Sequence, residues 1–268
     1  MSLITIKLKN WILKKKFLYF ALCKLSYFYY KKDLKVFLYN IEKDFLHNRK
    51  IYSNYDLDFD PTLEGSFRES IEIKYKIFKA ISLKYNNKKI KILEIGTLHG
   101  VFTSYLSNLF ANSEIYTIDL PHTDKRFYTS YDREDKIKNF LEARNKNIQK
   151  KNINFIEMDS MNILDKFGEN FFDIVFVDGD HKDPVVSLDI FNSFKILKRE
   201  GFLIVDDLYS SDRPGKIGEL IGHYPSKDGL NALKKLSLET NNQLDLLVKF
   251  YGPKNHFYNP MVGILRKK

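Results

Sequence analysis

The spacing of apolar positions changes near residue 90. Upstream, Phe67, Ile71, Ile73, Ile77 and Ile81 recur at close to helical spacing. They predict one apolar face of a helix over 66–85, ended by Asn86-Asn87. Downstream, short runs rich in β-branched residues predict strands at 90–95, 114–118, 153–158, 172–177 and 201–205. Helices are expected between them near 101–110, 133–150 and 184–198. Strands that alternate with helices bury both faces of a mostly parallel sheet, and their crossovers are right-handed. Two further strand-like runs, 244–250 and 261–266, are separated by Gly252-Pro253 and Asn259-Pro260. They bring the sheet to seven strands and are expected to form an antiparallel pair.

The first fifty residues read differently. Residues 17–30 form the most apolar stretch of the chain, rich in Phe and Tyr and interrupted by Lys24, with Lys14-Lys15-Lys16 before it and Lys31-Lys32 after it. The run is shorter than a membrane-spanning helix needs, and no small-residue cleavage site follows it, so export is not expected. The segment reads as a basic, aromatic-rich helical extension. Two readings stand: a helical arm packed on its own domain or on a second copy of the chain, with lysines on the wet face, or an amphipathic helix on an anionic membrane surface. Residues 51–62, acidic and broken by Pro61, read as a linker. The expected division is an extension and linker over 1–60 and one catalytic-looking domain over 61–268.

Charge sharpens this division. Of the formal net charge of +10, the first fifty residues carry +9, so the remainder is close to neutral. A nucleic-acid partner for the domain loses its electrostatic support. The single cysteine, Cys23, excludes an intrachain disulfide and a cysteine-based zinc site. That fits a cytoplasmic protein, at the inner face of a membrane if the extension binds there.

The candidate chemistry lies at the ends of the predicted strands. The first strand runs into Glu94-Ile95-Gly96-Thr97-Leu98-His99-Gly100, followed by a helix. Glycines at a strand end permit a tight turn and close approach of a ligand to the backbone. Their spacing, however, departs from the dinucleotide-binding fingerprint. The second strand ends at Asp119, an acid placed to take ribose hydroxyls. The third leads to Asp159, which is placed in the same crevice and suited to accept from an adenine amino group. The fourth and fifth strands end in Asp178-Gly179-Asp180-His181 and Asp206-Asp207. In a parallel sheet these acids open onto one crevice, where a divalent cation would offset their repulsion. All-oxygen ligands favour Mg²⁺, Ca²⁺ or Mn²⁺.

In the order and spacing of Glu94, Gly96, Gly100, Asp119 and Asp159, residues 66–268 resemble the class I S-adenosylmethionine-dependent methyltransferases. The resemblance implies a Rossmann-like sheet. It also implies a cofactor site in which the backbone around Gly96, Thr97 and Gly100 holds the methionine part, Asp119 the ribose and Asp159 the adenine, with Glu94 and Asp178 beside them. The strand-four and strand-five acids resemble the metal site of the catechol and caffeoyl-CoA type O-methyltransferases and their bacterial relatives that methylate sugars and antibiotics. That resemblance assigns Asp178, Asp206 and Asp207 to a metal, expected to be Mg²⁺. Catechol-type enzymes carry a catalytic lysine three residues after the first acid. This sequence has His181 there, a competent base near neutral pH.

The expected activity is S-adenosylmethionine-dependent O-methylation of a small-molecule or glycan hydroxyl, a sugar favoured, with His181 and Asp178 catalytic. A metal-independent N- or O-methyltransferase and a non-catalytic cofactor-binding partner subunit are the alternatives. The loops 120–132 and 209–229, the latter with Arg213, Lys216 and His223, are placed to shape an acceptor pocket. His99 is a candidate for substrate contact. His256 and Asp173 carry no motif.

Overall fold

The structure, a computed structural model, describes residues 66–85, 88–129, 137–209, 226–248 and 261–268. The chain divides into two compact units, Met1–Ala80 with Leu247–Asn259, and Ile81–Leu246 with Pro260–Lys268. Helix α1, Ser66–Tyr85, runs through the boundary between Ala80 and Ile81 and matches the predicted span. In the first unit only 66–80 and 247–248 are described. The helical extension, the linker and the expected boundary at residue 60 lie outside the described residues.

In the second unit the alternating pattern becomes β1 (Lys91–Ile95), α2 (Val101–Leu109), β2 (Glu114–Asp119), α3 (Lys125–Thr129), α4 (Ile137–Ile148) and β3 (Ile153–Glu157). A 3₁₀ turn (Ser160–Asn162), α5 (Ile163–Phe167), β4 (Phe172–Val177), α6 (Val185–Ile196), β5 (Leu197–Leu208) and α7 (Lys227–Thr240) follow, and the chain closes with β6 (Leu244–Val248) and β7 (Met261–Arg266). The seven strands stand in the order β3-β2-β1-β4-β5-β7-β6, with the first five parallel and β7 antiparallel to β5. This is the Rossmann-like, mostly parallel sheet expected.

Burial on both faces explains why the central strands read as continuous apolar runs. Ile174, Val175 and Phe176 of β4 and Leu203 and Ile204 of β5 are fully buried. One face packs Val175, Val177, Leu203 and Val205 against Val186 and Ile190 of α6 and Leu230 and Leu233 of α7. On α2, Phe102 and Leu106 are buried one turn apart, and the Phe102 ring lies 5.0 Å from that of Phe176.

Besides the short α3, the 3₁₀ turn and α5, two larger features go beyond the sequence reading. Helix α7 forms where no element is expected, although Leu230, Leu233 and Leu236 keep helical spacing and Ser226 caps its N-terminus by accepting from the Gly229 N–H at 2.7 Å. Strand β5 starts four residues earlier than predicted. Its polar stretch Lys198-Arg199-Glu200 hides the strand pattern, yet Leu197 pairs with Phe172 across a register shift.

The register sets the functional edge. Ile95 pairs with Ile118 and Val177, and Val177 pairs with Val205. The next residue of each strand, Gly96, Asp119, Asp178 and Asp206, therefore lies along one carboxyl edge. Strand order reverses between β1 and β4, the place where open α/β sheets leave a crevice for ligands.

Candidate active site

The turn after β1 is tied to both neighbouring strands. The Gly96 and Thr97 N–H groups donate to the Ile118 carbonyl at 2.9 and 3.2 Å, and the Asp178 N–H donates to the Ile95 carbonyl at 2.9 Å. Gly96 has φ +99°, and a Cβ placed on it would lie 2.3 Å from the Asp178 carbonyl oxygen. Only glycine lets β1 and β4 approach so closely here. Gly100, at φ +69°, starts α2, and a Cβ there would press on Ile148 of α4 at 2.7 Å.

Glu94 lies beneath this turn, almost wholly buried. Its Oε2 accepts from the Thr117 hydroxyl at 2.6 Å and from the Thr103 hydroxyl, and the Thr117 and Thr97 hydroxyl oxygens lie 2.7 Å apart. A buried carboxylate needs such donors. This ladder of hydroxyls from β2, α2 and the turn braces the glycine loop from within. Thr103 and Thr117 escape the sequence reading. Their signal is hydroxyl residues inside otherwise apolar elements.

Asp119 closes β2 half-buried. One oxygen accepts from the Leu98 N–H at 3.0 Å and the other from the Leu120 N–H at 2.9 Å. It therefore holds the turn in shape from the position expected for a ribose-binding acid. Asp159 caps the 3₁₀ turn, accepting from the Met161 N–H at 2.9 Å, and its other oxygen takes Arg126 Nη2 at 2.8 Å. Arg126 also grips Asp124, and hydrogen bonds to these two carboxylates raise its pKa further. Arg126 belongs to the 120–132 loop, whose mixed charges are visible in sequence but not its pairing. His99 is exposed, its ring 4.6 Å from Phe140.

At the other half of the edge, β5 carries a bulge. Val205 pairs with Gly263 and Leu208 with Met261, so one extra β5 residue stands against β7. Asp207 adopts φ +51°, an uncommon conformation for a residue with a side chain. Its carbonyl accepts from the Ser226 N–H at 2.6 Å, and the Tyr209 N–H donates to the Ser226 carbonyl at 2.9 Å. A bulge breaks strict alternation and re-aims side chains. Asp178, His181 and Asp207 thereby come together, with one ligand atom from each lying within 4.8 Å of the others. Asp206, buried, turns one oxygen back to accept from the Asp207 N–H at 2.9 Å and is not in this group.

A cation with ligands at roughly 2.0–2.6 Å places opposed ligand atoms about 4–5 Å apart. The three groups fit that span. His181, expected as a base, stands among potential metal ligands.

Under the turn after β4, Asp189 of α6 is completely buried, and a Cβ on Gly179 would meet its Oδ2 at 3.5 Å. Among the described residues neither carboxyl oxygen has a hydrogen-bond partner, and the Ser193 hydroxyl one turn on has none either. Burial pushes the Asp189 pKa up to about 7. The charges of Asp159 and Asp180 act in the same direction, and the Ser160 hydroxyl opposes them without meeting hydrogen-bond geometry.

Arg213, Lys216, His223, His256 and Cys23 lie outside the described residues. Among the described residues no helix is long and apolar enough to cross a membrane.

Residues 93–208 match the family model described as a methyltransferase domain. No curated protein sequence matches the chain. Among solved structures, a Staphylococcus aureus protein provisionally assigned as a caffeoyl-CoA O-methyltransferase superposes with TM-score 0.50 at 15% identity, over 87% of this chain and 99% of that one. An O-methyltransferase from Bacillus cereus, solved with S-adenosylhomocysteine, gives TM-score 0.48 at 19% identity, over 80% and 94%. The Staphylococcus likeness speaks for the fold. The matched segment spans β1 to β5 and contains the glycine turn and the strand-end acids, so this part of the chain is similar to a methyltransferase domain on a Rossmann-like sheet.

Proposed function

We propose that the chain is a divalent-metal-assisted O-methyltransferase acting on a hydroxyl of a small molecule or glycan, with a sugar hydroxyl favoured. The observation that carries this reading is the convergence of Asp178, His181 and Asp207 beside the glycine turn. S-adenosylmethionine would lie across the switch point, its methionine part against 96–100, its ribose toward Asp119 and its adenine toward Asp159. The glycine turn, drawn tight against the Asp178 backbone, lies at the point where strand order reverses, which is where open α/β sheets bind ligands. A bound divalent cation lowers the pKa of a hydroxyl and fixes its position. Asp178, His181 and Asp207 would hold the cation, and with it the acceptor oxygen, at the edge that faces the glycine turn. Bound S-adenosylmethionine would supply the methyl group, with an oxygen–carbon bond formed to the acceptor, the carbon–sulfur electron pair going to sulfur and S-adenosylhomocysteine as the other product. The hydroxyl proton passes to a base at this edge or to solvent. The preference for sugars rests on the histidine in place of the catechol-type lysine.

The test is calorimetric binding of S-adenosylhomocysteine with and without Mg²⁺ or Mn²⁺, for the full chain and for Asp178→Asn/Asp207→Asn, alongside turnover on a sugar panel. The reading expects a cation heat in the wild type, its loss in the double variant, and turnover at least about a hundredfold lower in that variant. Undiminished turnover in excess chelator would select the metal-independent methyltransferase instead.

We further propose that residues 1–50, with +9 of the net charge, hold the enzyme at the inner face of an anionic membrane. Equal partitioning onto anionic vesicles with and without these residues would sink that idea and leave the packed arm or a second copy of the chain as its contact.

A further inference from the structure

We infer that His181 is itself a ligand of the cation, and that the site is therefore a mixed nitrogen–oxygen centre selective for a first-row transition ion rather than Mg²⁺. This rests on the metal-assisted reading above. The group at the edge is two carboxylates and one imidazole, and Asp206, which would have made it three carboxylates, is turned into the Asp207 backbone. Two independent features of the chain fix the geometry. On the β5 side, the bulge and the left-handed Asp207 present its carboxylate, and the Ser226 bridge clamps the bulge. On the β4 side, the turn has little freedom. A Cβ on Gly179 would meet Ile95 Cγ2 at 3.2 Å and Asp189 Oδ2 at 3.5 Å, and the Lys182 N–H donates to Asp180 Oδ1 at 3.0 Å. This tightly packed turn carries the imidazole to the group that contains the carboxylate three residues earlier.

The donor set determines which ion is held best. Mg²⁺ seeks oxygen ligands in near-ideal octahedral geometry and keeps several waters. Imidazole suits Fe, Ni, Cu and Zn, and affinity at a given mixed site rises from Mn²⁺ through Co²⁺ toward Cu²⁺. A histidine committed to the ion is no longer the free base. The acceptor proton then leaves through a carboxylate oxygen or solvent, and the lysine-to-histidine departure becomes a change of metal as well as a change of base.

The experiment is pulsed electron paramagnetic resonance on the Mn²⁺-loaded full chain, with competition of Mn²⁺ and Co²⁺ against Mg²⁺. The expected results are a ¹⁴N modulation on the Mn²⁺ signal, its replacement by a ¹⁵N pattern in wild-type protein grown with ¹⁵N-histidine, and its loss in His181→Gln. The wild type should prefer Co²⁺ over Mg²⁺ by more than about tenfold, a preference that His181→Gln reduces. The isotope arm needs no variant, so it stands even if His181→Gln folds poorly. Mn²⁺ that binds without nitrogen coupling overturns the inference and returns His181 to the role of base, with the metal site intact. Failure of the full chain to bind either Mn²⁺ or Co²⁺ overturns both this inference and the metal-assisted reading.

Discussion

The two halves of the carboxyl edge handle their acids in opposite ways. On the β1–β3 side, the carboxylates are used within the protein. Glu94 is ringed by hydroxyls, Asp119 is shared between two backbone N–H groups, and Asp159 is divided between a turn and Arg126. On the β4–β5 side, Asp178 and Asp207 converge with an imidazole across two separate strands. The first arrangement builds a rigid cradle, because acids that accept from the turn's own N–H groups and from buried hydroxyls define the path of the turn. The second arrangement concentrates negative charge, because carboxylates gathered at one point favour a cation among them. The proposed metal-assisted reading would use both, one half to hold a nucleoside and the other to hold a hydroxyl.

Asp189 gives the largest effect that sharpens this contrast. It lies under the turn of the second half, yet its pKa is raised to about 7, chiefly by burial. An acid whose pKa is higher in the folded than in the unfolded chain costs stability as pH rises. Between about pH 4 and 7 the native state holds a proton that the unfolded state has lost, so stability falls through that window and is level above it. The full cost is on the order of 4 kcal/mol at pH 8. Asp189→Asn, neutral throughout, should therefore raise the urea midpoint at pH 8 and change it little at pH 4. A gain of equal size at both pH values would show that the carboxyl is not the source of the cost.

Gly96→Ala tests whether the halves are mechanically joined. The new Cβ would collide with the Asp178 carbonyl, and φ +99° is strained for any side chain. The expected loss is about 3 kcal/mol of stability. Because the contact moves Asp178, cofactor affinity and cation affinity should fall together in calorimetry. If S-adenosylhomocysteine binding weakens while cation binding is unchanged, the two halves are independent.

Most of this architecture is legible in the sequence because burial on both faces writes itself as apolar runs. The β1, β2 and β4 spans and the acids that end them follow from pattern alone. What escapes is set by conformation. Asp206 and Asp207 are equivalent as letters, and only the bulge, which depends on pairing with β7 some 55 residues later, distinguishes the one that joins Asp178 from the one that does not. Helix α7 carries its leucines at visible helical spacing, but its start depends on a Ser226 cap whose backbone also bridges to Leu208. The hydroxyl ladder around Glu94 draws Thr97, Thr103 and Thr117 from three separate elements. No local window of sequence displays that convergence.

The smallest expected effect concerns the pairing of Asp159 with Arg126. The arginine side chain is about half exposed, at 54%, and Asp159 lies at 22%. Exposed ion pairs contribute roughly 0–1 kcal/mol, so Arg126→Ala should change thermal stability little. Its informative readout is nucleoside affinity. Each carboxylate oxygen can accept more than one hydrogen bond, so Asp159 can keep Arg126 and still accept from an adenine amino group. In that case Arg126→Ala shifts S-adenosylhomocysteine affinity by less than about fivefold, and Asp159→Asn shifts it more. A loss of more than tenfold in Arg126→Ala would instead place the guanidinium itself against the bound nucleoside. The charged segment after β2 would then be part of the cofactor site, and the contrast between a cradle of internally paired acids and an edge of converging acids would no longer hold on the cofactor side.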